Sequence, residues 1–192
     1  MRSAERQPTT GVRVVPWTGD QFGDRVDEAM AIYVAAMGYP EYTGAQRAVS
    51  ARKHVAHEGF ACRAALLPDD TLVGFAYGYT TAPGQWWHDL VRRALAREHN
   101  TEWLDDAFEL SELHVLPEHQ GAGLGREVLL SLAGSLAHRA VLLSTPDSDT
   151  RAFRMYRSLG FVDLARNYLF PGDARPFAVL GASLPLTTAT AD

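Results

Sequence analysis

Apolar positions along the chain fall into short runs and helical stripes, and their order predicts a mixed α/β protein. Val12-Arg13-Val14-Val15-Pro16-Trp17 reads as an opening strand. Phe22, Val26, Met30, Tyr33 and Met37 recur at three- or four-residue intervals, one face of a helix that Gly38 and Pro40 bring to an end. A weaker helical pattern covers about Ala45–His57, and strands Phe60–Leu67 and Leu72–Tyr79 flank the turn Pro68-Asp69-Asp70. Residues 82–107 then contain Gln85–Leu95, an inserted helix between the third and fourth strands. A strand over Phe108–Val115 closes at Pro117, and Leu124, Val128, Leu132 and Leu136 stripe the helix after it. Ala140–Ser144 is a short buried strand. The next helix starts at Asp149 or Thr150, shows Ala152, Tyr156 and Leu159 on one face, and stops at Gly160. Strands near Arg166–Phe170 and Phe177–Leu184 close the chain. This order predicts a mixed, mostly antiparallel sheet of about seven strands, flanked by about four helices plus the inserted one. A single domain over residues 1–192 is expected, with 1–10 and 186–192 as loose termini.

Composition narrows the function classes. With 46% hydrophobic and 21% charged residues the chain is globular rather than disordered. It has no apolar run of 18 residues to span a membrane and no apolar N-terminal core to serve as a secretory signal. Cys62 is the only cysteine, which rules out an internal disulfide and fits a cytoplasmic protein. A net charge of −5 argues against nucleic acid as partner and suits a cationic acceptor. Homodimerisation is left open.

The most specific signal is Gln120-Gly121-Ala122-Gly123-Leu124-Gly125-Arg126, a glycine-rich turn between a strand and a helix. Backbone N–H groups at a helix N-terminus are unpaired and lie at the positive end of the dipole, so the turn can cradle a phosphate or pyrophosphate. A mononucleotide P-loop requires Lys then Ser or Thr after the last glycine, whereas Arg126 and Glu127 follow here. The dinucleotide fingerprint Gly-x-Gly-x-x-Gly is not matched by Gly121-x-Gly123-x-Gly125. The segment instead resembles the coenzyme A turn of the GCN5-related N-acetyltransferases, Gln/Arg-x-x-Gly-x-Gly/Ala after a strand ending near Val-x-Pro. Gln120, Gly123, Gly125, Val115 and Pro117 match it. A second motif of that family, Ala-x-x-x-Tyr-x-x-Leu-Gly-Phe, is matched at Ala152, Tyr156, Leu159, Gly160 and Phe161. The resemblance is specific over residues 107–162. One departure stands out: Asp149 occupies a position where the family often has an Asn that contacts the coenzyme, and that role is not carried over.

The resemblance implies an acetyl-CoA-dependent N-acetyltransferase, without a metal, that transfers the acetyl group directly to a primary amine. An alkyl amine is mostly protonated at pH 7, so a general base is needed. The entering strand offers Glu109 and Glu112, which alternation places on opposite faces. Glu109 matches the position used in the histone-modifying branch of the family. His114 is weighed as a relay against a hydrogen-bonded core histidine. The resemblance makes Tyr156 the proton donor to the leaving thiolate and gives the pantetheine to backbone groups of Leu113, His114 and Val115. Gln120 to Arg126, namely Gln120, Gly121, Ala122, Gly123, Leu124, Gly125 and Arg126, would hold the phosphates. Arg126, Arg151 and Arg154 could reach them, but a solvated helix face is the favoured reading of each. Tyr39 and Trp86 are acceptor-site candidates by position, and Trp87 is expected to pack the insertion onto the sheet. The pair His54-x-x-His57 lacks a third ligand and reads as a solvated helix face rather than a metal site. The acceptor is a small molecule or a protein lysine or N-terminus, with the aromatic insertion favouring a small molecule. The alternative is an acyl-CoA-binding sensor without turnover.

Overall fold

A computed structural model describes residues 11–187; the expected loose arm 1–10 and tail residues 188–192 lie outside the described residues. Seven strands make one mixed sheet: β1 (Arg13–Trp17), β2 (Ala61–Leu66), β3 (Leu72–Thr80), β4 (Ala107–Val115), β5 (Ala140–Pro146), β6 (Val162–Leu169) and β7 (Pro176–Ser183). The order across the sheet is β1-β2-β3-β4-β5-β7-β6. Neighbouring strands are antiparallel except β4 and β5, whose parallel register runs from Ala107↔Ala140 to Glu109↔Leu142. Six α-helices lie among the described residues: α1 (Gly19–Asp24), α2 (Val26–Met37), α3 (Tyr42–His54), α4 (Trp86–Arg97), α5 (Leu124–Ala133) and α6 (Arg151–Ser158). The strand count, the inserted helix α4 and the mostly antiparallel pairing agree with the sequence pattern.

The described residues group into two compact units. The first runs to Tyr79 and includes Ser111–Leu132. Its core joins Phe22, Met30, Ala48, Ala51, Phe75 and Tyr77, all almost fully buried. Cys62 is buried in the same cluster, and desolvation pushes its thiol pKa well up. Gly74 of β3 lies so close to β4 that an added Cβ would stand 3.1 Å from the His114 carbonyl oxygen, so only glycine fits this close approach without displacing β4. The second unit holds Thr80–Leu110 and the residues from Ala133 onward. There α4 buries Trp87, Leu90, Val91 and Leu95 in a cluster with Leu142, Leu164 and Val179.

Several boundaries differ from the pattern; the helix after the glycine turn ends at Ala133, short of Leu136, and α3 ends at His54 rather than His57. The helix expected across Phe22–Met37 is two helices, because Arg25 (φ −116°, ψ 17°) interrupts it. A capping box at Thr18 and Gln21 starts the first, and Arg25 is held over Trp17 and bonded to Glu28. Helix α3 starts at Tyr42, three residues before the apolar pattern, because its buried face is Gly44, Ala48 and Ala51. Such small residues carry almost no hydrophobic period. Strand β6 starts at Val162, four residues early, and irregularities between Asp163 and Tyr168 break its alternation. Among the described residues no helix is long and apolar enough to cross a membrane.

Candidate active site

The glycine turn follows β4 through the 3₁₀ turn Pro117–His119. Gln120 Nε2 donates to the Val115 carbonyl (2.9 Å), tying the turn to the end of the strand. Gly121 and Gly123 take φ of 85° and 88°, which side-chain-bearing residues rarely adopt. α5 then starts at Leu124, and Leu124, Val128, Leu129 and Leu132 are buried along one side. The apolar side fixes the helix, while Gly121, Ala122 and Gly123 stay exposed at its N-terminus. An exposed left-handed glycine turn opening a ten-residue helix has the geometry of an anion cradle.

Both predicted β4 carboxylates are buried, Glu109 at 3% and Glu112 at 7% exposure. They differ in surroundings. On the face of Glu112, Arg47 of α3 donates through Nε to Oε1, and His114 Nε2 lies 2.6 Å from Oε2. Burial alone would raise the Glu112 pKa, but Arg47 and His114 outweigh it and hold it down to about 2. Glu112 in turn raises the Arg47 guanidinium. The His114 ring meets Tyr33 of α2 edge-on at 5.1 Å, and Tyr33 meets Tyr39 at 5.4 Å. Tyr39, predicted from position alone, thus joins Tyr33, His114, Glu112 and Arg47 in one cluster of the first unit. Sequence reasoning missed Arg47 and Tyr33 as members. The available signal was spacing: Arg47 sits three residues after Gly44 and four before Ala51, on the inward side of α3.

The pair formed by His54, at the end of α3, and His57, in the turn after it, requires a correction. His54 is not part of a solvated face: its Nδ1 lies 3.1 Å from the Tyr77 hydroxyl, and its ring packs on His57 and Tyr79. Desolvation, reinforced by Arg47 and His57, lowers its pKa to about 4. The side chain reaches inward because α3 packs its small face down and lets longer side chains flank it. No metal-holding group of His, Cys, Asp and Glu occurs among the described residues.

In the second unit Thr150, rather than Asp149, caps α6, its Oγ1 accepting from Phe153 N (3.0 Å). Asp149 is exposed and pairs with Arg154 at 2.8 Å. Tyr156 is buried to 6% exposure with its ring centroid 5.4 Å from that of Phe161. The adjacent tryptophans diverge. Trp87 is buried and donates from Nε1 to Ser144 Oγ (3.0 Å), the packing role expected of it. Trp86 is 63% exposed and rests its ring 5.8 Å from Phe170. A further carboxylate with an enclosed side chain, Asp147, follows β5; it accepts from Arg166 and, at 2.7 Å, from the backbone N–H of Asn167.

Comparison with known proteins bears on the family and the fold. Residues 95–170 match the family model described as FR47-like protein. The chain is 38% identical to a GCN5-like protein acetyltransferase of Mycobacterium tuberculosis, over 84% of this chain and 93% of that protein. Among solved structures, a GNAT-family protein from Desulfovibrio desulfuricans superposes with a TM-score of 0.63 at 16% identity, covering 90% and 98% of the two chains. The spermidine/spermine N-acetyltransferase of Vibrio cholerae gives 0.58 at 11% identity over 91% and 94%. At these identities the structural likeness speaks for the fold alone.

Proposed function

The chain belongs to the GCN5-related N-acetyltransferase family, and from that premise we propose that it is an acetyl-CoA-dependent enzyme acting directly on a primary amine carried by a protein. The observation that carries the reading is the glycine turn, with its positive-φ glycines, Gln120 tie and exposed helix N-terminus. Leu113, His114 and Val115 would offer backbone groups to the pantetheine, and Gln120, Gly121, Ala122, Gly123, Leu124, Gly125 and Arg126 would hold the phosphates. Acetyl-CoA supplies the activated thioester. Tyr156 gives its hydroxyl proton to the departing sulfur; a phenol pKa near 10 and a thiol pKa near 8.5 make that donation short in energy. β4 supplies the group that strips the acceptor ammonium, through Glu109, Glu112 or His114.

Two points favour a protein-borne amine over a free small molecule. The curated relative at 38% identity is described as a protein acetyltransferase. The inserted helix spends Trp87 on packing and leaves Trp86 open, so the insertion offers a surface rather than an aromatic enclosure. Cytoplasmic residence fits the single buried thiol.

Calorimetric titration with acetyl-CoA, CoA and ATP, followed by mass spectrometry after incubation with a lysine peptide and with spermidine, tests the reading. One-site binding of both coenzyme forms but not ATP, with a 42 Da gain (about one acetyl group) on the peptide, is expected. Acetylation of spermidine alone would overturn the acceptor assignment. Absence of coenzyme binding would overturn the whole reading.

A further inference from the structure

The Arg47–Glu112–His114 chain is more than a buried ion pair. An ordinary salt bridge of this kind would close on itself, because removing two charges from water is repaid only when all lone pairs find partners. Here one carboxylate oxygen takes the guanidinium and the other is committed to an imidazole two residues along the same strand face. Arg47 keeps the carboxylate ionised, so Glu112 can only accept. The proton between them therefore sits on His114 Nε2, which fixes the tautomer and leaves the lone pair of the neutral ring on Nδ1. Tyr33 and Phe75 contact the ring at 5.1 and 5.8 Å and restrict its rotation. The side chain keeps 12% of its surface accessible, against 7% for Glu112. The imidazole is thus the one group of the three whose tautomer leaves a basic lone pair, on a side chain that keeps some accessible surface.

We infer that His114 takes the proton from the acceptor ammonium at Nδ1, with Glu112 and Arg47 as positioning residues behind it. The inference deepens the function proposed above and rests on it. In the step, an N–H bond of R–NH₃⁺ breaks and its electron pair stays on the amine nitrogen. An N–H bond forms at Nδ1, and the resulting imidazolium is neutralised by the Glu112 carboxylate, which stays ionised throughout. The proton leaves His114 to solvent after transfer. Glu112 and Tyr33 of α2 meet the ring itself, and Arg47 and His54 of α3, Tyr39, and Tyr77 of β3 lie one step further along the cluster. Glu109, the other buried carboxylate of β4, serves as the internal competitor.

The test uses the full chain with acetyl-CoA and whichever of the lysine peptide and spermidine it acetylates. His114→Gln is expected to lower kcat about 100-fold, the low end of general base catalysis, with acetyl-CoA affinity within about twofold of wild type. Its residual rate should keep rising with pH as the free amine itself deprotonates. Glu112→Gln should cut kcat about tenfold and move the ascending limb of the pH–rate profile to lower pH, because the imidazolium loses its carboxylate and faces Arg47 alone. Arg47→Lys should recover more activity than Arg47→Gln. Independently of turnover, ¹⁵N NMR of the histidine rings in wild type should place the His114 proton on Nε2. A His114→Gln enzyme with wild-type kcat and profile, loss of the limb in Glu109→Gln alone, or a proton on Nδ1 would each overturn the inference while leaving the proposed function standing. A wild-type protein that binds acetyl-CoA and acetylates neither amine overturns both.

Discussion

Two buried carboxylates, one in each unit, meet arginine in the same way and end in different uses. Asp147 takes Arg166 on its side chain and spends its remaining capacity on the backbone N–H of Asn167, whose φ of 53° it thereby holds. Every atom of that arrangement serves the chain's own path, a latch between the end of β5 and the irregular part of β6. Glu112 takes Arg47 and spends its remaining oxygen on an imidazole that itself has a further nitrogen. The two differ in what lies one bond beyond the ion pair: a closed backbone amide in one, a titratable ring in the other. A buried carboxylate signals chemistry only when its second partner can pass the charge onward.

The largest effect separating the two should come from Arg47→Ala, which strands Glu112 as a buried charge. A stability loss of roughly 3 kcal/mol is expected from urea denaturation, the low end for a broken buried pair because a third of Arg47 remains accessible. The paired replacement of Arg47 and Glu112 by methionine should regain most of that stability and none of the activity. Asp147→Ala should cost about 2 kcal/mol, since it frees a backbone N–H and a guanidinium at once, yet leave kcat within about threefold of wild type. Equal losses of kcat at both sites would erase the distinction.

Acid sharpens the comparison further. His54 is held neutral, its pKa lowered from 6.5 to about 4 in the folded chain. The stability it contributes is present above pH 6.5 and is lost as pH falls from 6.5 toward 4. Glu112, lowered from 4.5 to about 2, contributes above pH 4.5 and loses its share as pH falls from 4.5 toward 2. Asp147 is lowered in the same sense by Arg166. Unfolding free energies from urea titrations at pH 7, 5 and 4 should therefore fall by on the order of 1 kcal/mol by pH 5, screening discounted, and His54→Asn should flatten that first decline. The smallest effect is reserved for a change touching neither carboxylate. Gly123→Ala, forced to keep φ near 88°, should weaken acetyl-CoA binding by about 1 kcal/mol in calorimetry, with the acid response unchanged.

Much of the fold was legible because strands and helices announced themselves through local periods, and the turn through contiguous glycines. Trp87 packed as expected of a large aromatic on the apolar side of an inserted helix. Other features depend on contacts distant in sequence. Arg47 and Glu112 are 65 residues apart, and nothing local to either marks the pair. His54 looked solvated because Tyr77, its partner, lies on a strand whose position against α3 no helical pattern encodes. The break at Arg25 was invisible because the apolar stripe continues across it while the backbone does not. The start of α3 was hidden for the opposite reason, a buried face made of residues too small to register.

The lone cysteine has a practical consequence. Cys62 is fully buried and its thiol is held protonated, so thiol-reactive dyes will not see the folded protein. In the proposed acetyl-CoA-dependent reaction, each molecule of coenzyme released would carry one new thiol into solution. A chromogenic disulfide can therefore count turnovers continuously, with no protein background, while any slow drift in signal reports the fraction of chains that have unfolded and exposed Cys62. One reagent reads both activity and integrity of the same sample.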